Sequence, residues 1–261
     1  MANQIKMMTC LGENTVPIMS ELAQALTEKL NIDFWFNPIP ESTPAAEKLI
    51  KGVVQIGWIC GLLYVEKVDG ENAPLDLLAA PIFTGTDKPI YTSHLIVPAE
   101  SEARSLTDLR GKTHAINELT SWSGNHLMRA QLHEMGLSAD FFSEIIVSGG
   151  HSKSMRMVAE GRADSAAIDH GVFDFVADRS PEIIKRIRII DQVGPSPAPP
   201  FVIHRSVPAQ LQTEIRQAML ELGKDETFQA RVEPHRLKTI VPIKDVDYRP
   251  IRVGYKNSLA L

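Results

Sequence analysis

Apolar and polar positions follow two periods that take turns along the chain. The run Ile5 to Leu11 predicts a strand, and Gly12-Glu13-Asn14-Thr15 a turn. From Val16 to Leu30, Ile18, Leu22, Ala25 and Leu26 recur on one helical face, with Pro17 tolerated in the first turn. Ile32 to Phe36 predicts a second strand. Thr43-Pro44 then serves as cap and first residue of another helix, which Gly52 ends. The unbroken apolar stretch Val53 to Cys60 reads as a buried parallel strand feeding a short helix at Gly61-Leu62-Leu63-Tyr64. Leu75 to Phe83 and Ile90 to Val97 are further strands. The second passes through Tyr91-Thr92-Ser93-His94, which is polar for a core strand and suits a crossing between lobes.

Downstream the pattern restarts. Leu106 to Lys112 is a helical turn before the strand Thr113 to Ile116, and Trp122 to Met135 is a helix closed by Gly136. Glu144 to Val147 is a strand, Lys153 to Glu160 a helix and Ser165 to Ile168 another strand. Val172 to Ala177 and Ile187 to Ile190 complete this second unit. Gly194-Pro195-Ser196-Pro197-Ala198-Pro199-Pro200 cannot be helix or central strand and reads as a stiff connection back. The strand Phe201 to His204 and the helix Ala209 to Leu222 then join the first unit. Alternating strands and helices predict α/β architecture with largely parallel sheets. The division expected is two lobes, 1–91 with 200–261 and 92–199, joined by two crossings around a central ligand cleft.

Composition narrows the class. The 261 residues are 44% hydrophobic and 23% charged, which fits a folded globular protein and excludes a disordered or disulfide-stapled chain. A formal net charge of −5 argues against a broad electrostatic grip on nucleic-acid phosphates. No apolar run reaches the roughly 20 residues of a membrane-spanning helix. Cys10 and Cys60 have no metal-binding spacing and read as two small buried thiols. The N-terminus lacks a basic patch followed by an apolar core. The location expected is therefore periplasmic if an export signal is missing from this sequence, and cytoplasmic if the chain is complete as written.

Candidate chemistry collects where strands give way to helices, the edge at which open α/β sheets bind ligands. At Thr120-Ser121-Trp122-Ser123-Gly124, a helix start offers backbone N–H groups, Ser121 and Ser123 add hydroxyls, and Gly124 permits close approach. The competing reading of Ser121 is a plain cap. At Ser148-Gly149-Gly150-His151, the histidine can donate to an anion, or else merely occupy a helix start. Asp169, after the next strand, can accept from a protonated ligand oxygen or cap its own helix. On the first lobe, Trp58 and Tyr64 could wall the cleft, with burial in the sheet the competing place for Trp58. There is no nucleophile elbow, phosphate-binding Gly-rich loop, H-E-x-x-H or dinucleotide fingerprint, and no cofactor or metal is expected.

In order and spacing, Gly61 to Tyr64, Asp108 to Lys112, Ser121 to Gly124, Gly150-His151 and Val158 to Ala167 with Asp169 make the chain resemble type II periplasmic substrate-binding proteins. The resemblance is to the phosphate/phosphite/phosphonate-binding family of ABC transporters. It implies a two-lobed fold that closes on a small anionic ligand, contacts at Tyr64, Ser121, Ser123, Gly124, His151 and Asp169, and a transporter permease as partner. Trp122 stands where the family often has threonine, and Leu63 where proline is common. With Trp58, that bulk makes an organic portion of the ligand conceivable. Two other functions stay open: an enzyme using His151, Asp169 or Cys60 as acid, base or nucleophile, and a cytoplasmic ligand sensor.

Overall fold

The computed structural model describes residues 4–39, 42–69 and 73–261, and the side chains of residues 42 and 43 lie outside that description. It divides into unit 1, Met1–Ile90 with Pro197–Arg249, and unit 2, Tyr91–Ser196 with Pro250–Leu261.

Unit 1 opens with β1 (Ile5–Thr9), α1 (Thr15–Leu30), β2 (Phe34–Phe36), α2 (Ser42–Ile50), β3 (Ile56–Trp58), α3 (Gly61–Val68) and β4 (Leu75–Phe83). The stripe predicted on α1 is the buried one: Ile18, Leu22, Ala25 and Leu26 pack with Ile56 and Trp58 in one apolar core. Burying each such leucine or isoleucine contributes roughly 1.5–3 kcal/mol. The expected strand over 53–60 is shorter than its apolar run. Only Ile56–Trp58 joins the ladder, and Val53 is half exposed after the helix end. The proposed cap at Thr43 falls among the side chains outside the described set.

Unit 2 carries β5 (Ile90–Pro98), β6 (Thr113–Ile116), α4 (Leu127–Glu134), β7 (Glu144–Val147), α5 (His151–Ala159), β8 (Ser165–Asp169), α6 (His170–Arg179), α7 (Pro181–Ile184) and β9 (Ile187–Pro197). Its sheet runs β7-β6-β8-β5-β9, with β6 parallel to both β7 and β8 and β5 antiparallel to β8. The carboxyl ends of β6, β7 and β8 thus lie at one edge. β9 is longer than expected and continues through Gly194 and Pro195 to Pro197. It is an edge strand, the position where a residue lacking an N–H is tolerated.

The chain then returns to unit 1 as β10 (Phe201–His204), α8 (Ala209–Leu222), α9 (Glu226–Val232) and β11 (Leu237–Val241). These complete a mixed sheet ordered β11-β4-β10-β3-β1-β2. The final helix, α10 (Arg249–Leu259), departs from the expected division. Residues 250–261 pack in unit 2, because Ser258 Oγ lies 2.8 Å from His126 Nδ1 and the Ser258 carbonyl accepts from Arg129 Nε at 3.0 Å. Three connections, not two, therefore join the units. Cys10 is a buried thiol and Cys60 a half-buried one.

Candidate functional site

The parallel run of β6, β7 and β8 brings three of the predicted junctions together within unit 2. After β6, residues Trp122–His126 form a π-helical turn ahead of α4, with the His126 N–H donating to the Ser121 carbonyl at 3.0 Å. Such wide turns are rare and concentrate at functional sites. The N–H groups that open a helix have no carbonyl partner within it. Ser121 answers one of them, its Oγ accepting from the Gly124 N–H at 3.1 Å. Ser121 is therefore the cap of its own turn, and its hydroxyl proton remains available as a donor.

After β7, Gly150 is extended and His151 begins α5. Ser123 Oγ lies 3.1 Å from His151 Nε2, so the two junctions meet through their side chains. Ser121, Ser123 and His151 are all buried. Burial pushes the His151 imidazole below its ordinary pKa, while the negative charge of Asp169 and the Ala167 backbone oppose that shift. The free site thus favours neutral imidazole. At the end of β8, Asp169 Oδ1 accepts from the N–H groups of Gly171 at 2.8 Å and Val172 at 3.2 Å. Asp169 is a helix cap that also presents charge towards His151.

Two further residues hold this arrangement. Ser93, wholly buried on β5 and opposite Asp169 in the ladder, donates from Oγ to the Ser123 carbonyl at 2.9 Å. Its signal in the sequence was the polar run inside an otherwise apolar strand. Asn117, just beyond β6, fills the space that Gly124 leaves. A Cβ at position 124 would collide with Asn117 Oδ1 and stand 3.0 Å from His151 Cε1. Asn117 Oδ1 is buried and has no hydrogen-bond partner among the described residues. Nothing in the local sequence marks Asn117.

The aromatic candidates are core residues. Trp122 is 2% exposed, donates from Nε1 to Ser196 Oγ at 2.6 Å and abuts Gly254 of α10. Its bulk is absorbed inside unit 2. Trp58 is fully buried in unit 1, its ring 4.6 Å from that of Phe201 and its Nε1 donating to the Pro199 carbonyl at 2.9 Å. The competing reading of Trp58 as a sheet-core residue is the one its surroundings match. Tyr64, also in unit 1, donates its hydroxyl to Asp245 Oδ1 at 2.8 Å and packs against Tyr248.

A family of periplasmic substrate-binding proteins of phosphonate ABC transporters matches residues 11–248. The chain belongs to that family. Among curated relatives, the phosphonates-binding periplasmic protein of Escherichia coli (strain K12) is 23% identical over 94% of this chain and 74% of its own length. Among solved structures, PhnD1 from Prochlorococcus marinus (MIT 9301), in complex with methylphosphonate, has a TM-score of 0.86 at 14% identity, with both chains fully covered. The binding-protein component of an ABC phosphonate transporter from Pseudomonas aeruginosa has the same TM-score at 16% identity, covering all of this chain and 89% of the other. The family resemblance read from the sequence is thereby shown, as is the α/β fold of periplasmic binding proteins.

Proposed function

We propose that this protein holds a small phosphonate- or phosphate-like oxyanion, as the periplasmic solute-binding partner of an ABC transporter permease. The observation that carries the proposal is the meeting of Ser123 and His151, with Asp169 close enough to bias the imidazole. Hydroxyls, helix-start N–H groups and one titratable ring form a donor set suited to an anion without any Lys or Arg. Trp122 supports a small ligand over a bulky one, because its ring is spent on Ser196 and Gly254.

The protein binds its ligand without transforming it. The one pairing that invites a catalytic reading is Ser123 with His151, a hydroxyl beside an imidazole. In serine–histidine–carboxylate triads a carboxylate orients the far ring nitrogen. Asp169 Oδ1 is engaged instead by two backbone N–H groups at its helix start. Titration calorimetry with methylphosphonate, inorganic phosphate and a panel of organic acids tests the reading. We expect saturable binding of the first two, abolished in the Ser123→Ala/His151→Ala double variant. Equal affinity of the double variant, or turnover of the bound ligand, would overturn it.

A further inference from the structure

Away from the proposed oxyanion site, unit 2 contains a cavity of about 340 Å³ beside the β7 edge of its sheet. Its floor is sheet: His114 and Ile116 from β6, and Ile145 from β7, which lies opposite His114 in the ladder. Met128, Arg129 and Leu132 of α4 line one side. Phe142, stacked on the His114 ring at 4.4 Å, lines another. Ile145 and Leu119 are 45% and 66% exposed there, so apolar area faces the opening. A mainly apolar lining with a few fixed polar groups, at this volume, is the make-up of small-molecule sites.

The polar groups define the ligand's charge. Arg129 is the one permanently charged side chain in the lining, which contains no Asp or Glu side chain and is closed on one side by Leu259 and Leu261. Its Nε donates to the Ser258 carbonyl, which fixes the guanidinium in place. The terminal nitrogens have no hydrogen-bond partner among the described residues, which leaves the planar fork that suits a carboxylate. In the floor, His114 Nδ1 lies 2.8 Å from Ser165 Oγ, while its Nε2 is buried with no partner among the described residues. A buried polar atom in that condition is costly, and a ligand or water donor would relieve it.

The geometry points to a second ligand site: this cavity takes a small amphipathic carboxylate, with its apolar body on Ile116, Ile145 and Leu132 and its carboxylate on Arg129. The site is independent of the oxyanion reading, since Ser121, Ser123, His151 and Asp169 are not in its lining. The two do share the π-helical turn, which contributes Ser123 and Gly124 to one and Asn125 and His126 to the other.

Octanoate and the uncharged octan-1-ol are the probes, titrated into the full chain and followed by calorimetry and by chemical shifts of the Ile145 and Leu132 methyl groups. Octanoate is expected to bind saturably and at least tenfold more tightly than octan-1-ol. Arg129→Gln is expected to erase that preference, and Ile145→Glu, an exposed change that spares the core, to abolish binding. The Ser123→Ala/His151→Ala variant is expected to bind octanoate like the wild type. No saturation at millimolar octanoate, equal affinity for the alcohol, or binding that survives Ile145→Glu would each overturn the proposal.

Discussion

Ser123 and His151 stand 28 positions apart in the chain, on two different strand-to-helix junctions, yet Ser123 Oγ lies 3.1 Å from His151 Nε2. The parallel ladder of β6 and β7 makes this possible by ending both strands at the same edge. Each contributes a buried polar group whose loss costs about 1–3 kcal/mol when its partner is left behind. Ser123→Ala and His151→Ala are therefore each expected to weaken methylphosphonate binding by roughly 5- to 150-fold. Unaltered affinities by calorimetry would separate this pair from the ligand.

Gly124→Ala tests the space rather than the donors. The added methyl would collide with Asn117 Oδ1 and crowd the His151 ring. Overpacking of this kind costs about 1–3 kcal/mol in a closely packed interior. A lowered melting temperature together with weaker anion binding is the expected outcome. A neutral substitution would mean that Asn117 can step aside freely.

Anion binding should draw in a proton. Burial keeps His151 neutral in the free protein, and an arriving oxyanion favours the charged ring. Calorimetry near pH 6.5 in buffers of different ionisation enthalpy should show net uptake for the wild type and less for His151→Gln. Identical proton counts for the two proteins would remove the ring from the binding step.

Acid should destabilise unit 2. Burial lowers the pKa of His94, His126 and His151, and holds His114 at about 3. Released by unfolding, each ring takes up its proton near 6.5, so the unfolded state binds more protons below that pH. The stability contributed by the neutral rings is complete above about pH 6.5. For His114 it is lost as pH falls towards 3, by up to about 1.4 kcal/mol per pH unit, and for the other three it is lost as pH falls through their own lowered folded-state pKa. Urea midpoints at pH 7.5, 5.5 and 4.5 should decline, and His114→Phe should decline less steeply. Parallel slopes would rule His114 out as a source.

Trp122→Phe separates packing from recognition. It removes the N–H donated to Ser196 Oγ and leaves that oxygen buried, a loss of about 1–3 kcal/mol of stability. Because the ring lies against Ser196 and Gly254, methylphosphonate affinity should change by less than about threefold. A large affinity loss in a well-folded variant would put the indole at the ligand.

Much of the fold was legible from periodicity. The strands Leu75–Phe83, Thr113–Ile116, Glu144–Val147 and Phe201–His204, and the helix Ala209–Leu222, end where the apolar pattern ends. The final helix was not, because its buried face is Ile251, Gly254 and Ser258, too small and polar a stripe to announce a partner. The meeting of Ser123, His151 and Asp169 could be anticipated because strand ends in such sheets share an edge. The polar run in β5 marked the position of Ser93 but not its bond to a backbone carbonyl, and Asn117 could not be anticipated at all, since it fills a glycine's vacancy. The tryptophans show the converse limit. Composition gives Trp58 and Trp122 an apolar face and a donor, and only packing decides that both are enclosed.

The tail that covers Trp122 makes unit 2 a discontinuous object in translation. Its central segment ends at Ser196, but its last helix is synthesised only after the remaining 53 residues of unit 1, Pro197–Arg249. A nascent chain that has completed residues 91–196 still shows the indole edge and Ser258's binding partners to whatever surrounds the ribosome. The finished half must wait for the other, and a truncation of a dozen residues at the carboxyl end would leave it waiting permanently.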